Sequence, residues 1–253
     1  MDFDFSLLQI GMVCLIGIVL GIWGAILGST MFVLVPLLNY LGLPIHAAIG
    51  TAKLSIVGRE IMPIFVFGRS GKITARLVVP LCLSLIVSAH LGALLAVNLD
   101  GEILRKIVGA SMAIMSLIAL FNKNTGLGET PVTFTLRHDL INIACGTLIG
   151  FYTGIFGGGT NIFIIFLLVY LSGNSFLQAV ANSKIPNILV TAASLPAFIG
   201  NGYVIWKIGI PLTLCTALGS TLGAKIALRK GSRLIRALFL ALVISLAVIY
   251  LAT

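Results

Sequence analysis

Apolar runs close to membrane-crossing length recur from one end of this chain to the other, at about 6–41, 45–67, 77–99, 103–121, 139–172, 176–200, 208–228 and 234–252. A spanning helix needs about 20 consecutive apolar residues. The expected fold is therefore an all-α integral membrane protein, a multi-span helical bundle with no room for a soluble domain. Hydrophobic residues make up 59% of the chain and charged ones 9%, with a mean hydropathy of +1.16, more apolar surface than one soluble core of this size hides. The expected location is the cell inner membrane, multi-pass, with the lipid bilayer as a partner. The opening MDFDFS lacks the basic segment of a cleaved signal peptide, so the first run reads as the first membrane segment.

A net charge of +9 raises nucleic acid as a partner, but the basic residues collect at the ends of apolar runs, as topology determinants do. Nucleic acid is therefore excluded. Cys14, Cys82, Cys145 and Cys215 all fall inside apolar runs without metal-type spacing. His46, His90 and His138 are scattered, and no nucleophile–base spacing or metal cluster appears. The expectation is no enzyme, no cofactor and no metal.

The chain repeats itself. Residues 44–122 laid on 175–253, a constant offset of 131, give fifteen identities in 79 positions. They include Lys53 on Lys184, Pro80-Leu81 on Pro211-Leu212, Leu91-Gly92-Ala93 on Leu222-Gly223-Ala224, and Arg105 on Arg236. Each half opens with spaced glycines, Gly17, Gly21, Gly24 and Gly28 in one, Gly146, Gly150, Gly154 and Gly157-Gly158-Gly159 in the other. The earlier ones suit close helix packing. Residues 6–41 as one helix would measure about 54 Å, too long for a hydrocarbon core of about 30 Å, so the chain must break near Gly28-Ser29-Thr30 and, likewise, near Gly157–Asn161.

Charge sets the relation between the halves. Arg69, Lys72 and Arg76 follow the 45–67 run, whereas in the second half the basic cluster, Arg229, Lys230, Arg233 and Arg236, comes one helix later. Under the positive-inside rule the second half is then inserted upside down. The expected organisation is an N-terminal repeat at 1–121, a cytoplasmic linker at 122–138 and a C-terminal inverted repeat at 139–253, with broken or re-entrant glycine-rich helices in each.

Lys53 and Lys184 are the intramembrane cations shared by both halves. Charges at that depth face the protein interior, and two cations near a pseudo-twofold axis favour a small anionic substrate. The alternative is that each lysine bonds a helix-end carbonyl and serves structure. Thr51, Asn182 and Ser183 add short donors beside them, and Gly157, Gly158, Gly159, Thr160 and Asn161, with Ser29 and Thr30 in the first half, place helix N-termini where an oxyanion would be welcome. Arg59 and Glu60 are unique to the first half; Glu60 is either a structural partner or a proton-coupling group, and adjacency on a helix does not imply that the two pair.

The glycine-rich break, the short helix, the motifs GTAKLS and AVANSKIPN, and the PL…LGA block ending in a basic turn and LIR resemble the TauE/SafE family over essentially the whole chain. The resemblance implies a carrier for sulfite, thiosulfate or sulfonate-like anions in a bacterial inner membrane, with Gly157, Gly158, Gly159, Asn182, Ser183 and Lys184 matching the second-half motif. LGST at 27–30 departs from the glycine-rich run usual in the first half. Export is the leading expectation, with proton coupling through Glu60 and a homodimer both allowed. Uptake of a similar anion, an anion channel and a non-transporting scaffold are the alternatives.

Overall fold

A computed structural model describes residues 7–28, 30–108, 110 and 136–252. Ser29, residues 122–135 of the expected linker and most of the run expected at 103–121 lie outside them. The helices are α1 (Leu7–Ile26), α2 (Met31–Tyr40), α3 (Ile45–Arg69), α4 (Ala75–Asn98), α5 (Leu136–Ile155), α6 (Thr160–Ser172), α7 (Phe176–Gly200) and α8 (Trp206–Ala252), with residues 101–108 also helical. α8 bends at Gly231, where φ is 70° and ψ −169°, between the basic residues Arg229, Lys230 and Arg233. Among the described residues every element is helical.

The breaks fall where the helix-length argument requires. Gly28 and Gly157 both adopt left-handed φ, 82° and 87°, which glycine reaches without a Cβ penalty, and α2 and α6 start three residues later in each half. Gln9–Ile26, Val78–Asn98 and Trp206–Arg233 are long and apolar enough to cross a membrane. α3 and α7, 25 residues each, reach about 37 Å at 1.5 Å per residue, but spend their length on buried polar groups.

The burial pattern is inside out. Leu83 and Leu214 are 67% and 61% exposed, whereas Lys53 is 1% and Lys184 0% exposed. Leu83, Val87 and Leu91 on α4 and Leu214, Leu218 and Leu222 on α8 form matching outer stripes, each pair separated by the repeat offset of 131. Lipid tails are the solvent such a surface requires.

Helices of the two halves exchange partners. Gly17 and Gly21 of α1 press on Leu212, Cys215, Thr216 and Ser220 of α8, and Gly146 and Gly150 of α5 press on Leu81, Ser84, Leu85 and Ser88 of α4. α1 thus runs parallel to α8, and α5 to α4. α3 also runs parallel to α8, with Thr51 beside Ile205 and Gly58 beside Thr213. α7 keeps the same relation to α4, through Asn182 with Thr74 and His90 with Ala193. Two intertwined units result, α1–α3–α8 and α4–α5–α7. They meet mainly along α3 and α7, which run antiparallel: Lys53 reaches Ser194 while Glu60 reaches Asn187.

Candidate substrate site

Both shared lysines cross from one unit to the other. Lys53 Nζ donates to the Thr153 carbonyl of α5 at 2.6 Å and to Ser194 Oγ of α7 at 3.1 Å, and lies 5.3 Å from the centroid of the Phe198 ring. Lys184 Nζ donates to the Gly24 carbonyl of α1 at 3.3 Å and sits 3.4 Å from Glu60 Oε2. Gly24 and Thr153 each stand four residues before their break. Carbonyls in a last helical turn lack an intrahelical donor and sit at the negative dipole end, so a buried ammonium satisfies both. The helix-end carbonyl is thus the partner each lysine uses here.

The two lysines do not share one cradle. Glu60, beside Lys184, is seven residues beyond Lys53 on α3, about 10 Å along the axis. The Lys184 side holds the further charges. Arg59 Nε donates to Glu60 Oε1 at 2.9 Å and Nη2 donates to the same oxygen, while Asn187 Nδ2 adds a third donor at 2.8 Å. Arg59 Nη1 turns the other way, to Thr30 Oγ1 and to the Gly28 carbonyl at 3.2 Å. Neighbours on a helix point about 100° apart, yet Arg59 and Glu60 pair because the guanidinium is long enough to fold back. Glu60 Oε2 has no hydrogen-bond partner, and Arg59, Glu60 and Lys184 are all 0–1% exposed.

The two breaks abut. The Asn161 side chain lies so tightly on Gly28 that no Cβ would fit there, and Met31 Sδ covers Gly157. Thr160 Oγ1 donates to the Gly157 carbonyl at 2.9 Å and shares a 2.8 Å hydrogen bond with Thr153 Oγ1, which ties the start of α6 to the Lys53 side. Tyr152 donates its hydroxyl proton to the Gly158 carbonyl. Asn161 is 1% exposed, and neither its Oδ1 nor its Nδ2 has a partner.

The remaining candidates are engaged elsewhere. The Thr51 hydroxyl accepts from the Ile205 amide at 3.0 Å and Asn182 Oδ1 from the Thr74 amide at 2.7 Å. These are equivalent bonds, 131 residues apart at both ends, and each secures the turn that starts the packed helix of the other half. Ser183 Oγ returns to the Val180 carbonyl at 2.8 Å. What sequence reasoning missed was these bonds, since nothing in GTAK or ANSK tells which turn of the other half its short polar residue meets. Among the described residues no cluster of three His, Cys, Asp or Glu side chains could hold a metal. An apolar groove of about 390 Å³, lined by Cys145, Leu148, Phe163, Phe166 and Tyr170, contains none of these charges.

A buried set of cations between intertwined, broken membrane helices suits a transporter. Comparison with known proteins agrees. The chain is 30% identical to a probable membrane transporter protein of Haemophilus influenzae, over 93% of this chain and 91% of that one. It is 29% identical to the probable membrane transporter protein ORF9 of a Sinorhizobium species, over 92% and 88%, and 28% identical to the probable membrane transporter protein YfcA of Escherichia coli K12, over 92% and 86%. No solved structure matches. The sequence profile described as sulfite exporter TauE/SafE matches residues 13–250, and with helices of spanning length on both sides of its polar centre, the chain is a multi-pass membrane transporter of the TauE/SafE family.

Proposed function

We propose that this transporter is a secondary carrier for a small sulfur-containing anion, sulfite or a related oxyanion or sulfonate, and that it works outward, as the description of the matched family has it. The observation that carries the reading is the exchange of lysine bonds: Lys53 to Thr153 and Lys184 to Gly24 both bridge the two units, at equivalent places in the two halves. The Thr51 and Asn182 bonds, by contrast, stay within a unit. Units held together inside and bridged by polar bonds at their seam can rock against each other, with α1, α3 and α8 as one body and α4, α5 and α7 as the other.

An anion arriving at the seam offers the lysines oxygens that compete with the helix-end carbonyls and with Glu60. Binding then weakens the bridges that hold the seam closed, which couples occupancy to movement. Glu60 is the internal counter-ion; a proton on it frees Arg59 and Lys184 for the substrate, a direct route to proton coupling. The inverted-repeat organisation is part of the same reading. It is supported by the antiparallel course of α3 and α7, and by parallel α3 and α8 ending in the basic turns at 69–76 and 229–233, which put both turns at one end, the cytoplasmic one under the positive-inside rule.

Saturable counterflow of labelled sulfite in proteoliposomes, abolished in Lys53→Ala and Lys184→Ala, is the expected result. Unitary currents would instead mark an anion channel, and full activity in both variants would mean the lysines serve structure alone. Right-side-out vesicles read the direction.

A further inference from the structure

We infer that Asn161 reads the substrate, and that it selects a singly charged oxyanion which itself carries a hydrogen-bond donor, such as a hydrogen oxyanion or a hydroxyalkyl sulfonate. This rests on the anion-transport reading above and gives its site a specificity-determining residue.

Three observations converge on that amide. Asn161 is buried, with both polar atoms unpartnered; each such group costs about 1–3 kcal/mol when left so, and the large majority of buried side-chain polar atoms find a partner. It is the second residue of α6, 13 residues long, where the first N–H groups and the positive dipole end favour an oxyanion. Across Gly28 from it stands Arg59, whose Nη1 holds the Gly28 carbonyl and Thr30. Gly28, left-handed and without a side chain, lays bare backbone directly against the amide.

The chemistry of the occupant follows from the atoms waiting for it. Nδ2 offers a donor to an anionic oxygen, whereas Oδ1 can be satisfied only by a donor on the ligand. A fully deprotonated oxyanion leaves Oδ1 orphaned; one with an O–H does not. Arg59, Lys184 and Glu60 together leave one positive charge on this side, with Lys53 about 10 Å further along α3. One positive charge in a low-dielectric site matches a monoanion and leaves a dianion half compensated. A site built to bond a substrate hydroxyl discriminates strongly against an analogue that lacks it.

The test uses three probes with purified protein in proteoliposomes: 2-hydroxyethanesulfonate, ethanesulfonate, which lacks only the hydroxyl, and sulfate, a dianion without a donor. The wild type is expected to move 2-hydroxyethanesulfonate at least about tenfold faster than either other probe, the ratio that one hydrogen bond supplies. Asn161→Ala is expected to bring the two sulfonates to equal rates, because 2-hydroxyethanesulfonate loses both bonds to the amide and ethanesulfonate only the one from Nδ2. Equal rates for the first two probes in the wild type, sulfate moving as fast as 2-hydroxyethanesulfonate, or undiminished discrimination in Asn161→Ala would each overturn the assignment. The wild-type panel decides alone if the variant does not fold. Flux of labelled sulfite with none of the three probes moving would overturn the assignment, and flux of neither sulfite nor any probe would overturn the transport reading beneath it.

Discussion

Lys184 Nζ stands 3.4 Å from Glu60 Oε2 with both side chains sealed from solvent, and Glu60 gives its other oxygen to Arg59 and Asn187. One acid thus compensates two buried cations from different helices, α3 and α7. Removing it leaves both uncompensated. Glu60→Gln is expected to lose about 3–5 kcal/mol of stability, the usual cost of breaking a buried pair from one side. Glu60→Gln combined with Lys184→Met should recover part of that loss, with a coupling energy above about 1 kcal/mol in a double-mutant cycle read by thermal unfolding in detergent. Simple additivity would show that Lys184 and Glu60 do not act as a pair.

Thr51 and Asn182 make a different kind of bond, and a different signature follows. Each accepts the backbone amide that precedes the packed helix of the other half, Ile205 for Thr51 and Thr74 for Asn182. Thr51→Val and Asn182→Leu orphan those amides and are expected to cost about 1–3 kcal/mol each. Apparent KM for the transported anion should stay within about twofold of wild type. A large rise in KM with unchanged melting would return both residues to the substrate.

Much of this frame is legible in the chain because membrane constraints are one-dimensional. A 36-residue apolar run cannot remain one helix in a bilayer, so length requires a break and the glycines near 28 and 157 mark its place, and the 131-residue offset aligns Lys53 with Lys184 before any contact is known. Partner choice is another matter. The break glycines and the lysines follow offsets of 129 and 131, so which carbonyl meets which ammonium depends on how α1 and α5 cross the other half. Arg59 and Glu60 pair against the helical 100° rule through side-chain length, which sequence spacing does not encode. That both atoms of Asn161 lack a partner is a property of everything around it, and no local motif carries it.

The glycine contacts make a prediction with an internal control. A Cβ at Gly21 would meet the Thr216 carbonyl and the Ser220 amide, and one at Gly150 the Leu85 backbone and Ser88 Oγ, whereas a Cβ at Gly68 meets nothing within 4 Å. Backbone cannot step aside as a flexible side chain can. Gly21→Ala and Gly150→Ala are expected to lower stability by about 1–3 kcal/mol, the range for overpacking. Gly68→Ala, near the end of α3, should gain up to about 1 kcal/mol from reduced chain entropy and better helix propensity. Thermal unfolding of the three variants side by side checks the order.

Parallel packing of α1 on α8 can be caught chemically. Cys14 on α1 stands one helical turn before Gly17, where a Cβ would come 3.3 Å from Cys215 Cβ on α8. An antiparallel α1 would carry Cys14 to the far end of α8. In a variant with Cys82 and Cys145 replaced by alanine and a protease site inserted between residues 122 and 135, mild oxidation is expected to form a Cys14–Cys215 disulfide. After cleavage the two fragments should run together on a denaturing gel until a reductant is added. Because α1 and α8 belong to the same rocking body, the crosslinked protein should keep most of its anion flux. A crosslink that forms and abolishes flux would move the seam from between α3 and α7 to between α1 and α8, and fragments that never join would reject the packing of α1 on α8 itself.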